Sequence, residues 1–401
     1  MKYRTLTLCH EDGERLPMLV DQRGLPIIEP NVYAQTQRGL ASRTIKKKIS
    51  STGLVHEWAD ENTIDLAERI ASGHLFSESE INGSLIPFLK RSHQRRKVQK
   101  LVVAAKTFNI IATYVREYLI WRINSHLVRI PASDPRFHAI EKKRSVISQW
   151  LADAKISQSS ASNEVNKGLS ADQLILLLEL TDPKFPGNPW KSEDIRERNR
   201  LILMLLIAFG LRPAELQTVR VEDLQFGAIS AVEIIRRPHD PNDPRPNSPE
   251  VKRSGRVLPI MELQFAKQID NYIMEWRPKF EDRNPKGSSF LVLSEEGNPI
   301  SYSSIAKIFQ RLKEVDCRFP KNFSAKTLRH VFSGAMERKM RESGIKDTRR
   351  REILAFLRGD TDEESHKDYI REEIREQAKQ ASLRHQTAIF QSVGALKDVP
   401  F

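Results

Sequence analysis

Ser324-Ala-Lys-Thr-Leu-Arg-His330 decides how this chain is to be read. Lys326 and Arg329 stand three residues apart, so a helix projects both from one face. Leu328, Val331, Phe332, Ala335 and Met336 recur at helical spacing and lay an apolar stripe beside that cationic edge. Ser324 is placed to cap the helix at its start. Alone, the stretch is an ordinary amphipathic helix with a solvated basic side, and two other stretches change its meaning.

The first lies upstream, at Gly210-Leu-Arg-Pro-Ala-Glu-Leu216. Gly210 follows an apolar run and suits the residue just past a helix end, while Pro213 suits the first turn of the next helix. Arg212 then stands at a helix start, where unpaired backbone N–H groups favour an anion and a guanidinium can grip a phosphate with two parallel bonds. Read in isolation, this is a surface arginine at a helix–turn–helix corner. The second stretch holds Tyr369, forty residues after Arg329. Ile370, Ile374, Ala378 and Ala381 form an apolar stripe with Tyr369 at its edge, free to point outward.

Gly-Leu-Arg-x-x-Glu-Leu at 210–216, Leu-Arg-His at 328–330 and the later tyrosine together resemble the phage integrase, or tyrosine recombinase, family. The resemblance covers roughly 169–380, and the order and spacing of the boxes carry it. It implies a mainly α fold with a small β component: a helical core-binding domain and a mixed α+β catalytic domain. It also implies a DNA strand transferase that acts through a 3′-phosphotyrosyl bond. By resemblance Arg212 and Arg329 hold the non-bridging phosphate oxygens, and Glu215 is the supporting acid. Lys252, in Val251-Lys-Arg-Ser-Gly-Arg-Val-Leu-Pro-Ile260, is the hairpin lysine that protonates the leaving 5′-hydroxyl. Lys326 fills the His-or-Lys position, and Tyr369 is the nucleophile. The implied partners are double-stranded DNA, three further copies of the chain in a tetramer on DNA, and accessory DNA-bending proteins. The implied setting is a bacterial or phage cytoplasm, at the nucleoid.

The chemistry of these residues agrees. A phenol with a pKa near 10 is a weak nucleophile at neutral pH and needs help to lose its proton. Fixed cations around one phosphate stabilise the charge that builds in the transition state. Glu363, Glu364, His366 and Asp368 come nearest to a metal cluster, but they read as the acidic first turns of a helix, with Thr361 and Glu364 as its capping box. No metal and no cofactor are expected. Lys326 has two open roles: a base, if Arg212, Arg329 and Lys252 depress its pKa, or a fixed charge in the oxyanion clamp. The clearest departure from the family is Gly359-Asp360, nine positions before the tyrosine, where Gly-His or Gly-Trp is usual. An ionised aspartate repels a phosphate. It pairs either with Lys326 or with an arginine, and His366 is then the candidate replacement donor.

Composition sets the frame. The chain has 401 residues, a net charge of +13, 39% hydrophobic and 29% charged residues. That length predicts two or three domains, and that charge a polyanionic partner. No apolar run is long enough to span a membrane, and the start Met-Lys-Tyr-Arg-Thr lacks the apolar core of a signal peptide. Cys9 and Cys317, the only cysteines, form no CxxC pair, which fits a reducing compartment.

Four segments are expected. Residues 1–60 begin with short strands (Tyr3–Leu8, Pro17–Val20) and turn helical from Ser42, with no assigned role. Residues 61–156 are helical and DNA-clamping, with a helix at 63–72, the basic run Leu89–Lys100 and a long helix bearing Phe108, Ile111, Tyr114, Val115, Tyr118 and Leu119. Ser157–Gly168 is a polar linker. Residues 169–401 are catalytic, with a helix over Arg198–Phe209, paired strands at Ile229–Ile235 and Val251–Ile260, and a C-terminal segment that docks on a neighbouring protomer or on its own chain. Rival readings are a type IB topoisomerase-like relaxing enzyme and a DNA-binding protein that has lost activity. A membrane-surface protein is disfavoured, because the basic residues are spread through helical domains.

Overall fold

The computed structural model of the chain describes residues 2–91, 102–157, 168–227, 229–251, 255–360 and 368–395, the side chains of 368–373, 375, 376 and 392–395 excepted. The fold is mainly α with few strands, divided into two compact units: Met1–Ser162 with His239–Asn242, and Asn163–Pro238 with Asp243–Phe401.

The first unit opens with a hairpin, β1 (Arg4–Cys9) against β2 (Arg15–Val20), in a register that pairs Arg4 with Val20. Helices α1 (Ile28–Gln35), α2 (Ser42–Glu61) and α3 (Leu66–Ala71) follow, then a π-helical turn (Ser79–Leu85) that runs into α4 (Ile86–Lys90). α5 (Ala105–Leu127) and α6 (Pro135–Asp153) complete the unit. α1 was not expected: Pro30 argued for a turn, but in a helix's first turn proline gives up no backbone bond. The helix expected at 63–72 forms only over Leu66–Ala71, because the Asp65 carboxylate accepts from the N–H groups of Ala67 and Glu68 at 2.8 and 3.0 Å and starts it there.

On α5, Phe108, Ala112, Val115, Tyr118, Leu119 and Ile123 are buried at intervals of three and four, as a core-facing stripe requires. They share one core with Leu16 and Leu19 of the hairpin, Ile49 and Trp58 of α2, and Ile147 of α6. The division expected at residue 60 therefore falls at the end of α2, inside a single core, and is not a boundary in the packing. The basic run at 92–101 and the linker at 158–167 lie outside the described residues.

In the second unit α7 (Ala171–Leu180) starts at a reciprocal cap: the Ser170 hydroxyl accepts from Gln173 N–H at 3.2 Å, and the Gln173 side-chain oxygen accepts from Ser170 N–H at 3.0 Å. α8 (Glu193–Phe209) starts earlier than the apolar pattern indicated, because Glu193 and Asp194 in its first turn favour a helix N-terminus. Leu201–Phe209 is buried on every side, which makes α8 the central helix of this core. α9 (Pro213–Thr218) leads through a 3₁₀ turn (Val221–Asp223) to an antiparallel sheet, β3 (Leu224–Gln225), β4 (Ser230–Ile234) and β5 (Arg256–Ile260), in that order. Val232 pairs with Leu258 across β4 and β5, the two strands the sequence indicated; β3, two residues long, was beyond its reach. The helices α10 (Leu263–Asn271), α11 (Arg277–Glu281), α12 (Tyr302–Val315), α13 (Ala325–Glu342), α14 (Asp347–Arg358) and α15 (Asp368–Ala395) follow, with a π turn (Tyr272–Trp276) between α10 and α11. No helix among the described residues is long and apolar enough to cross a membrane.

α15 is tied to α8 by the buried His385, whose Nε2 lies 3.0 Å from the Ile207 carbonyl and whose ring meets Phe332 of α13 edge-on. Burial pushes this imidazole down to about 4, so it is neutral and donates to the carbonyl. Between that value and the ordinary ~6.5, the unfolded chain binds more protons, so stability rises with pH across the window and is lost as pH falls through it. The second unit is expected to lose roughly 3 kcal/mol from this group between pH 7 and pH 4. Thermal melts across that range check it. In His385→Gln the slope of the second unit's midpoint against pH should shrink, and an unchanged slope would refute the assignment.

Candidate active site

Two corners of the second unit meet at the site. At the first, α8 ends on Gly210 at φ 60°, and a Cβ there would stand 2.3 Å from the Phe332 ring, so the left-handed turn and the close passage of α13 both demand glycine. The turn sets Arg212 at the head of α9. At the second, α14 ends on Gly359 at φ 61°, where a Cβ would stand 2.5 Å from Arg256 Nη1. The N–H of Asp360 then donates to the Ala355 carbonyl at 2.8 Å, which holds the aspartate just past the helix end.

Glu215 lies beneath the site, 1% exposed. Its Oε1 accepts from Arg212 Nη1 at 2.7 Å and from Arg256 Nη1 at 3.2 Å; its Oε2 accepts from the Arg212 N–H at 2.8 Å and from Arg256 Nη2 at 3.1 Å. Burial alone would raise this carboxyl, but the Arg256 charge and bonds, with the Arg212 N–H and charge, hold it below its ordinary value. Arg256, itself 1% exposed, also donates from Nε to the Leu357 carbonyl at 2.8 Å, joining β5 to α14. The sequence reading missed Arg256 as a site residue. It stands four positions after the expected hairpin lysine, but its ion-pair partner is distant in the chain, and no local spacing announced the pair.

Arg212 and Arg329 come together above Glu215. Arg329, in the first turns of α13, donates from Nη1 to the Gly210 carbonyl at 2.7 Å and from Nη2 to the Arg358 carbonyl at 2.9 Å; Arg212 Nη1 reaches the same Arg358 carbonyl at 3.0 Å. Both guanidiniums also bond the Asp360 carboxylate, Arg212 through Nη2 to Oδ1 and Arg329 through Nη2 to Oδ1 and Oδ2 at 3.4 and 3.3 Å. Arg358 Nε lies 3.0 Å from Oδ2, within ion-pair range though not aligned as a hydrogen bond. Of the partners weighed for Asp360, arginines are the ones found. Burial first, then the nearby Arg212 charge, brings the Arg329 guanidinium down to about 10, so it keeps its charge at neutral pH.

Lys326 is exposed on the first turn of α13, one turn before His330. Burial, then the charges of Lys326, Arg358 and Arg329, lower His330 and favour its neutral form. The cap expected from Ser324 appears from the other side, the Thr327 hydroxyl accepting from the Ser324 N–H at 3.1 Å. Tyr369 lies in the first turn of α15, whose Ile374, Ala378 and Ala381 are buried as their spacing indicated; its side chain is among those not described. Lys252 and His366 fall outside the described residues, as do Thr361, Glu363 and Glu364.

Two guanidiniums backed by a buried acid and turned toward one carboxylate make a site suited to an anion with two oxygens in a plane. Residues 169–345 match the phage integrase family. No curated protein matches the chain. Among solved structures, the XerH site-specific recombinase bound to its difH substrate is similar at 12% identity and a TM-score of 0.38, over 73% of this chain and 94% of that one. The Tn1549 transposon integrase in complex with circular intermediate DNA is similar at 13% identity and a TM-score of 0.36, over 68% and 79%. The XerA recombinase is similar at 13% identity and a TM-score of 0.34, over 92% and 97%.

Proposed function

We propose that this chain recombines DNA at a specific site, with Arg212 and Arg329 as its phosphate clamp, Tyr369 as nucleophile and Lys252 as general acid. The observation that carries the reading is the convergence of two guanidiniums, from distant stretches, on one carboxylate and one carbonyl. An anion of that shape, with two oxygens in a plane, stands in for two non-bridging phosphate oxygens. The Tyr369 phenolate oxygen attacks phosphorus, the bond to the 5′-oxygen breaks, and Lys252 gives that oxygen a proton. The products are a 3′-phosphotyrosyl bond and a free 5′-hydroxyl. Attack by a 5′-hydroxyl from the other duplex reverses each step, so bond energy is conserved and no nucleotide is consumed. Lys326 adds positive charge at the rim, where its exposure favours the fixed-charge role over that of a base. His366 remains the candidate for the donor that Asp360 does not supply.

Double-stranded DNA is the partner, in keeping with the net charge of +13. The helices after residue 61 clamp the duplex, residues 169–401 carry the chemistry, and four copies assemble on two sites with accessory DNA-bending proteins, in a bacterial or phage cytoplasm at the nucleoid. A nicked duplex that carries the recombination site and loses its 5′-hydroxyl fragment on cleavage tests this. The wild-type chain is expected to accumulate a covalent protein–DNA adduct on a denaturing gel, and Tyr369→Phe to form none. An adduct that persists in Tyr369→Phe refutes the nucleophile. A wild-type chain that binds its site tightly and never forms an adduct refutes the enzyme.

A further inference from the structure

The clamp is already filled, and by a residue of its own chain. Asp360 is acidic where the family usually has a neutral or cationic donor, yet it does not stand apart from the arginines. Among the described residues, the donors that Arg212 and Arg329 direct elsewhere are spent on Glu215 and on the carbonyls of Gly210, Arg358 and Gly359. Nη2 of each guanidinium also bonds Asp360, that of Arg329 being shared with the Arg358 carbonyl. A phosphate bound between the two arginines competes with Asp360 for these donors.

Asp360 is also able to leave. Its backbone is held by its N–H to Ala355, but its side chain is 31% exposed and turns about a single Cα–Cβ bond. Glu215, by contrast, is sealed below and cannot follow. Two anions of different mobility therefore share the cations, a fixed one that orients and an exposed one that occupies.

We propose that Asp360 is a positioning residue that acts as an exchangeable internal anion: it aligns Arg212 and Arg329 in the DNA-free chain and is displaced by the scissile phosphate. Its carboxylate keeps the two like-charged forks side by side until substrate arrives, so the clamp need not be assembled on binding. The same carboxylate competes with any isolated phosphate, so only a phosphate anchored by the rest of a duplex takes its place readily. The site thereby discriminates against free phosphate.

The inference rests on the proposed phosphate clamp, but its test reads anion binding, not strand cleavage, so either can fail without the other. Inorganic phosphate is titrated into the full chain, DNA absent, with affinity read by calorimetry. Asp360→Asn keeps the shape and removes the charge, and phosphate is expected to bind about tenfold tighter than to wild type, ~1.4 kcal/mol. Adding Arg329→Ala to that variant should erase the gain, which separates the clamp from other basic surface. Asp360→Ser, titrated in parallel, should show the same gain and serves if the Asn variant does not fold. Unchanged or weaker phosphate binding in a folded Asp360 variant overturns the inference, as does a gain that survives the loss of Arg329.

Discussion

Arg329→Ala is expected to slow strand cleavage by about 10³-fold in single-turnover assays, at the upper end of what removing one preorganised oxyanion donor does. Binding of the duplex should change only a few fold, since one phosphate contact among many is lost. The magnitude follows from what Arg329 does in the site. Its Nη1 is fixed on the Gly210 carbonyl at 2.7 Å and its Nη2 on that of Arg358 at 2.9 Å, so the fork is aimed before substrate arrives. Arg329→Lys keeps a charge but cannot bridge two carbonyls and an anion at once, and should recover only a small part of the rate. A rate within tenfold of wild type in Arg329→Ala would show that the clamp lies elsewhere.

Glu215→Ala should unfold the second unit more readily, by roughly 3–5 kcal/mol, because it strands a buried cation. Arg256 is 1% exposed, and Glu215 is the carboxylate its two Nη atoms bond. Arg212 loses a partner as well, so the orientation of the clamp suffers along with stability. Melts of the second unit should fall by about 10 °C. Glu215→Ala combined with Arg256→Met should regain much of the loss, since removing both members of a buried pair is far less damaging than removing one. A midpoint within 2–3 °C of wild type in Glu215→Ala, the shift expected for only ~1 kcal/mol, would contradict the role given to this acid.

How far the site can be read from sequence depends on the range of each signal. Gly210, Pro213 and Arg212 are legible because a left-handed glycine, a first-turn proline and a helix-start arginine are local necessities. α15 is legible because Ile374, Ala378 and Ala381 repeat at helical spacing and are buried. Arg256 is not, since its partner Glu215 stands on α9, 41 residues away in the chain. The start of α8 was misplaced because apolar periodicity begins only after Glu193 and Asp194 have already started the helix. Residues 1–60 looked separate because they open in short strands and turns and match no part of the family pattern, while the shared core of Leu19, Trp58 and Tyr118 is a matter of three-dimensional packing. Asp360 was visible as a departure from the family pattern, and an arginine was one of its two expected partners; which arginines they are, Arg212 before α9, Arg329 on α13 and Arg358 on α14, is set by the fold.

The most direct test of the whole reading is to trap the chain on its nicked site, digest the adduct with protease, and locate the residue that carries the DNA 3′-phosphate by mass spectrometry. A single modified peptide bearing the phosphate on Tyr369 is the expected result. The phosphate on Tyr302 or any other side chain, with Tyr369 unmodified, would contradict it.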